Sequence, residues 1–154
     1  SCELNRVDEE GAFYGFPYKH ANSIPDPEFG KLNPGYDFIN PIEELGAHVA
    51  PTGIAFYKGE MFPQFNNNLF ITLHGSWNRS PLPQEGYYVV FVPYENGKPT
   101  GKWEVFANGF SGKSVVKNPR DAQHRPCGLA EGPDGSLYVS DDVKGTIYRI
   151  MYQK

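Results

Sequence analysis

From residue 47 onward, short apolar runs recur between breakers, each long enough for a strand and too short for a helix. Runs 53–57, 68–73 and 86–92 are bounded by Gly, Pro or Asn. Glu95-Asn96-Gly97-Lys98 reads as a hairpin, because Asn-Gly supplies the positive φ of a tight turn. Residues 103–107 then alternate as the returning strand, so four strands are expected, each beside its chain neighbour. The same order begins again further on. Pro51-Thr52-Gly53-Ile54-Ala55 is echoed by Pro126-Cys127-Gly128-Leu129-Ala130, and Leu69-Phe70-Ile71-Thr72 by Leu137-Tyr138-Val139-Ser140. Tyr88-Val89-Val90-Phe91 is echoed by Thr146-Ile147-Tyr148-Arg149-Ile150, with tight turns at 132–135 and 141–145.

A repeat of a few short antiparallel strands is the mark of β-propeller blades. A β-sandwich shows similar strands but gives no reason for the repeated Pro-x-Gly-apolar-Ala opening. The expected fold class is therefore all-β, built of β-propeller blades. Closed propellers have at least about four blades, so two repeats imply either part of one propeller domain or edges covered by other chains. Residues 47–109 and 110–154 are the two blade-like repeats. Residues 1–46 carry Pro or Gly too often for a regular element, as at 13–18 and 24–30. Their aromatic residues point to a long loop packed on the propeller, not to a disordered tail.

Composition adds limits. The 154 residues carry a net charge of −4, with no basic excess to neutralise the phosphates of a nucleic acid. No run approaches the roughly 18 apolar residues of a membrane span. The N-terminus is polar and shows no signal sequence, which does not place the protein in the cytoplasm. Ten Tyr, eleven Phe, 17 Gly and 14 Pro suit short strands and enforced turns. Cys2 and Cys127 allow one disulfide or two separate thiols, and both readings stay open.

The unusual segment is His74-Gly75-Ser76-Trp77-Asn78-Arg79, which leaves the end of a predicted strand. An Arg fork, an Asn amide, a His ring and a Trp face on one loop can clamp a flat anionic ligand. The structural alternative is an anchored turn in which Trp77 plugs a core and Arg79 caps carbonyls. Arg125 lies just before the first strand of the second repeat, where it either joins the same site or stays a surface charge. The pairs Asp134-Gly135 and Asp141-Asp142 lack the spacing of a calcium loop and read as turns bonding their own backbone. His20 and His48 read as structural. Ser76 beside His74 is no hydrolase pair, since the two are too close in sequence and no Gly-x-Ser-x-Gly elbow is present.

Taken in order, 3–6, 13–18, 25–29, 74–79, 125–129 and 133–142 together resemble the C-terminal part of the glucose/sorbosone dehydrogenase family, in its L-sorbosone dehydrogenase-like branch. The 74–79 segment is the specific part of the likeness; 133–142 is shared by many propellers. The resemblance implies a six-bladed propeller in the complete protein, holding pyrroloquinoline quinone (PQQ) at one mouth with calcium beside it. It implies oxidation of a sugar or sugar aldehyde by hydride transfer to the quinone, and onward transfer to an acceptor such as a cytochrome or quinone. His74, Asn78, Arg79 and Arg125 match cofactor-side positions, and Trp77 a substrate-side position. The resemblance places the expected catalytic histidine and most calcium ligands outside this chain, so no catalytic or metal residue is assigned within it, and the chain alone is expected to be inactive. The family often has Cys where Lys19 stands, Val where Cys127 stands and Asp before the position of Glu3. A periplasmic or secreted location follows from the same likeness, as does association with the missing blades or with a second copy. Two other readings stay open: a non-catalytic propeller-like binding or scaffold module, and a sugar-lactone hydrolase, which needs a central carboxylate-bound calcium that this stretch does not supply.

Overall fold

The computed structural model describes residues 1–32 and 34–153, in two units, Ser1–Ala47 and His48–Lys154. The segment expected as loop contains four short strands: β1 (Cys2–Leu4), β2 (Lys19–His20), β3 (Ile24–Pro25) and β4 (Glu43–Gly46). β1 pairs antiparallel with β4, and β2 with β3. The Phe13 ring lies 5.4–6.2 Å, centroid to centroid, from those of Tyr18, Tyr36 and Phe38, and Tyr18 stacks on Phe38 at 6.3 Å. His20 pairs with Asp26 at 2.8 Å in the same unit.

The second unit is all-β apart from two single turns of 3-10 helix. Its larger sheet contains β5 (Pro51–Phe56), β6 (Leu69–Leu73), β7 (Tyr88–Val92) and, after the small hairpin β8 (Tyr94–Glu95) and β9 (Lys98–Pro99), β10 (Glu104–Ala107). The strands lie in the order β10–β7–β6–β5, all antiparallel, which is the chain-neighbour order the sequence implied. β6 and β7 occupy the centre because they are nearly continuous apolar runs. All five residues of β6 are buried, and so are the last four of β7. Strands covered on both faces need such runs. β7 begins two residues later than expected, because Gly86 and Tyr87 have φ of 96° and 68° and cannot pair as a strand. Asn96 and Gly97, at 52° and 75°, make the hairpin turn as anticipated.

The second sheet has three strands, β11 (Pro126–Glu131), β12 (Leu137–Asp141) and β13 (Ile147–Ile150), in that order. The repeated opening has a structural reason. Register shifts after Pro51 in the β5–β6 ladder and after Pro126 in the β11–β12 ladder, a bulge at each Pro-x-Gly. In each bulge the Gly N–H donates to the hydroxyl of the strand opposite, Gly53 to Thr72 Oγ1 at 2.7 Å and Gly128 to Ser140 Oγ at 2.9 Å. A Cβ on Gly53 would sit 2.7 Å from both Thr72 Oγ1 and the Cys127 carbonyl, so only Gly fits where β5 meets β11. Thr52 and Thr72 both donate to that carbonyl, at 2.8 and 2.7 Å, stitching one sheet to the next.

One aromatic cluster fills the space between these sheets. Tyr57, Phe62, Phe70, Phe91 and Phe110 join Leu137 and Val139. Phe106 meets Phe70 edge-on at 4.8 Å and Phe65 at 5.3 Å. Tyr57, 2% exposed, donates its hydroxyl to Gly135 O at 2.7 Å and accepts from Phe62 N at 3.1 Å. Tyr57→Phe strands both buried partners and is expected to cost about 2 kcal/mol, read as a lower urea midpoint at unchanged slope.

Candidate functional site

The antiparallel order brings the starts of β5, β7 and β11 and the ends of β6 and β12 to one end of the two sheets. His74 leaves β6, and Asp142 follows β12 at the equivalent place in the other repeat. They meet there: His74 Nε2 lies 3.0 Å from each carboxylate oxygen of Asp142. Arg125, one residue ahead of β11, reaches into the first repeat. Its Nε donates to the His74 carbonyl at 3.3 Å and its Nη2 to the Gly75 carbonyl at 2.5 Å. Its guanidinium lies 5.8 Å from the centre of the Tyr87 ring. The sequence-selected His74 and Arg125 are thus joined across the repeats, while the described bonds leave Nη1 of the fork uncommitted.

Asp141 organises the second repeat's side. Its side chain has no exposure, and it accepts from Arg125 N at 2.7 Å, Val143 N at 3.1 Å and Lys144 N at 3.0 Å, with His124 Nδ1 at 2.8 Å. Burial pushes its carboxyl up, but the bonds from Arg125, His124, Lys144 and Val143 outweigh this and hold it well below the usual carboxylate range. The bonds to Val143 and Lys144 are the turn chemistry expected of this Asp pair.

The loop that carries the other candidates is tied at its neck by Ser76, which is fully buried. Ser76 N donates to Glu85 O at 2.7 Å, Glu85 N donates back to Ser76 Oγ at 2.8 Å, and Ser76 Oγ donates to Gln84 Oε1 at 2.8 Å. Tyr87 closes the neck from below by donating to Ser76 O at 2.8 Å. Trp77 stands beyond the neck at 72% exposure, so it plugs no core; Asn78 is exposed beside it. The Arg79 side chain is mostly covered and ion-pairs with Glu85 through Nη1. Arg125 caps the carbonyls of His74 and Gly75. A cleft of about 560 Å³ adjoins this end, lined by Glu85, Tyr87, Tyr88, Lys113 and Ser114 among others. Burial pushes the Tyr88 hydroxyl up, Glu85 adds to this and Arg79 opposes it; burial likewise raises Tyr87 against the pull of Arg125.

Sequence reasoning missed Asp141, His124, Glu85 and Tyr87 as site residues. The signal for Asp141-Asp142 was present, because the repeat aligns Leu73-His74 with that pair. Cys2 and Cys127 are both free thiols. Among the described residues no three of His, Cys, Asp or Glu come together as a metal site, and no helix is long and apolar enough to cross a membrane.

Solved structures place the chain in an all-β fold class. The calcium structure of the Trichoderma reesei carbohydrate-active enzyme family AA12 shares the fold at a TM-score of 0.68 over 95% of this chain and 40% of its own, at 23% identity. The holo PQQ domain of pyranose dehydrogenase from Coprinopsis cinerea gives 0.58 over 75% of this chain and 30% of its own, at 32% identity. Residues 32–153 match the TrAA12-like family, and the chain belongs to it. In sequence it is 34% identical over 126 residues to the PQQ-dependent pyranose dehydrogenase of Coprinopsis cinerea, covering 73% of this chain and 16% of that enzyme. It is also 36% identical over 156 residues to an uncharacterised protein of Borreliella burgdorferi, covering 99% of this chain and 39% of that protein. The chain therefore spans well under half the length of the relatives it matches. The kinship with quinone-dependent sugar dehydrogenases, expected from the sequence, is met.

Proposed function

We propose that the chain forms two blades of a propeller-type PQQ-dependent sugar dehydrogenase and supplies one wall of its quinone site. The observation that carries this is the Arg125 fork, fixed by two carbonyls of the neighbouring repeat and stacked near Tyr87, with Nη1 left for an acidic ligand. Such a preset fork suits a planar polycarboxylate better than a mobile side chain does. Exposed Trp77 and Asn78 add a ring face and an amide beside it, with Trp77 on the sugar side. His74, held by Asp142, and Arg79, held by Glu85, keep the loop's ring and guanidinium groups in place. Bound PQQ supplies the acceptor for the hydride of a sugar or sugar-aldehyde carbon, sorbosone-type substrates included. The residues fit that group; they do not fit calcium, whose ligands we assign to other parts of the whole protein together with the proton-accepting histidine. On this reading the chain alone does not turn over, and the whole protein works in the periplasm or outside the cell and passes its electrons to a cytochrome or quinone.

A scaffold reading is favoured by one fact, that Arg79 and much of Arg125 are already engaged within the protein. Titrating the chain, and a longer protein that includes it, with PQQ separates the two. Quinone absorbance should saturate, and Arg125→Ala should weaken binding roughly tenfold or more, as loss of a charge-assisted pair does. The longer protein should reduce a dye with glucose, other aldoses or sorbosone. Failure to bind quinone, or affinity unchanged in Arg125→Ala, would overturn the proposal.

A further inference from the structure

The opposite end of the larger sheet, where β5 ends, β6 begins and β7 gives way to the β8–β9 hairpin, holds a cleft of about 670 Å³. That volume is in the range of small-molecule sites. Phe56 and Tyr94, Lys58 and Glu95, and the amides of Asn67 and Asn96 line it. The cleft shares no residue with the 74–85 loop or with Arg125, so a ligand bound there is independent of the quinone reading.

Its frame is fixed. Asn66 Nδ2 donates to the carbonyls of Lys58 and Gly59 at 3.2 and 3.3 Å, and Asn66 Oδ1 accepts from Asn67 Nδ2 at 2.7 Å. Asn68 Oδ1 accepts from Tyr94 N at 3.0 Å and fastens the hairpin to the sheet. Asn67 and Asn96 sit at φ of 63° and 52°, corners that asparagine tolerates. The aromatic wall is Phe56, 49% exposed on a strand, with Tyr94 edge-on to it at 5.2 Å. Among the described residues no hydrogen bond or ion pair engages the Lys58 ammonium, the Glu95 carboxylate or the Asn96 amide.

The chemistry of this wall selects a ligand class. One ammonium and one carboxylate cancel, so neither an anion nor a cation gains net attraction. A purely apolar ligand would strip water from four polar groups with nothing to replace it. A sugar satisfies both halves. Its hydroxyls donate and accept as amides and a carboxylate require, and its C–H face lies against an aromatic ring. We propose that this cleft binds a neutral saccharide chain at a site where no reaction occurs, on the far end of the sheet from the quinone-side loop.

The test is NMR titration of the ¹⁵N-labelled full chain with cellotetraose, with maltotetraose and, as the charged comparison, with trigalacturonate. Saturable shifts should appear at 56–67 and 94–97 with at least one neutral oligosaccharide, and trigalacturonate should bind more weakly. Phe56→Ala should weaken that binding roughly tenfold, and Asn96→Gly, which keeps the positive-φ turn while removing the amide, roughly fivefold. No shifts with either neutral sugar, affinity unchanged in both variants, or a preference for trigalacturonate would overturn the inference.

Discussion

Asp141→Ala is expected to destabilise the second unit by about 3 kcal/mol, the scale of breaking a buried charged network. The carboxylate has no exposure and serves three backbone N–H groups and the His124 ring. Removing it leaves those partners buried without an acceptor, and Arg125 loses the bond that sets its backbone. The pH dependence carries the sign. The folded carboxyl titrates well below its unfolded value of about 3.9. Its stabilisation is therefore fully present above that value and is lost as pH falls through it toward the folded one. Urea unfolding of wild type and variant should differ most at neutral pH and converge below about pH 4. Asp134 shifts in the same direction, to about 2, through Ser136 and Arg149, but it is exposed and adds little. A constant gap down to pH 2 would show that Asp141 is not the titrating group.

Gly75→Ala should be of similar size, about 3 kcal/mol, for a steric reason. Gly75 has φ of 105°, and a Cβ there would enter the Tyr87 ring. That ring cannot step aside, because it is 4% exposed and its hydroxyl is bound to Ser76 O. The variant should also lose much of its quinone affinity, since Tyr87 lies beneath Arg125. Gly97→Ala is the control: φ is also positive there, at 75°, but the surrounding space is empty, so only the backbone term of about 1 kcal/mol applies. Thermal unfolding of both variants checks the contrast, and equal losses would show that the Tyr87 contact is unimportant.

The strands of the second unit were legible because β6 and β7 are unbroken apolar runs and Asn96-Gly97 marks the β8–β9 hairpin that follows them. The repeated Pro-x-Gly was legible as pattern but not as cause; the bulge and the hydroxyl that receives its N–H needed coordinates. The strands β1 to β4 went unread because two to four residues carry no periodicity. At the site, His74 and Arg125 stood out by type and position. Their partners did not, because Asp141 and Tyr87 reach Arg125 only through contacts between separated stretches of the chain. Trp77 was ambiguous for a related reason, since the same ring suits a core or a surface and only the Ser76 neck decides between them.

The bond between His74 and Asp142 joins corresponding positions of the two sheets, one step past β6 and one step past β12. Identical residues would set His against His or Asp against Asp at that seam, and two facing carboxylates would have no hydrogen-bond donor between them. The polar centre therefore arises where the two sheets differ, at one step past the strand end, while the bulge and its hydroxyl are alike in both. Two sheets that share a bulge thus gain a directional contact at the one step past the strand end where a ring on one meets a carboxylate on the other.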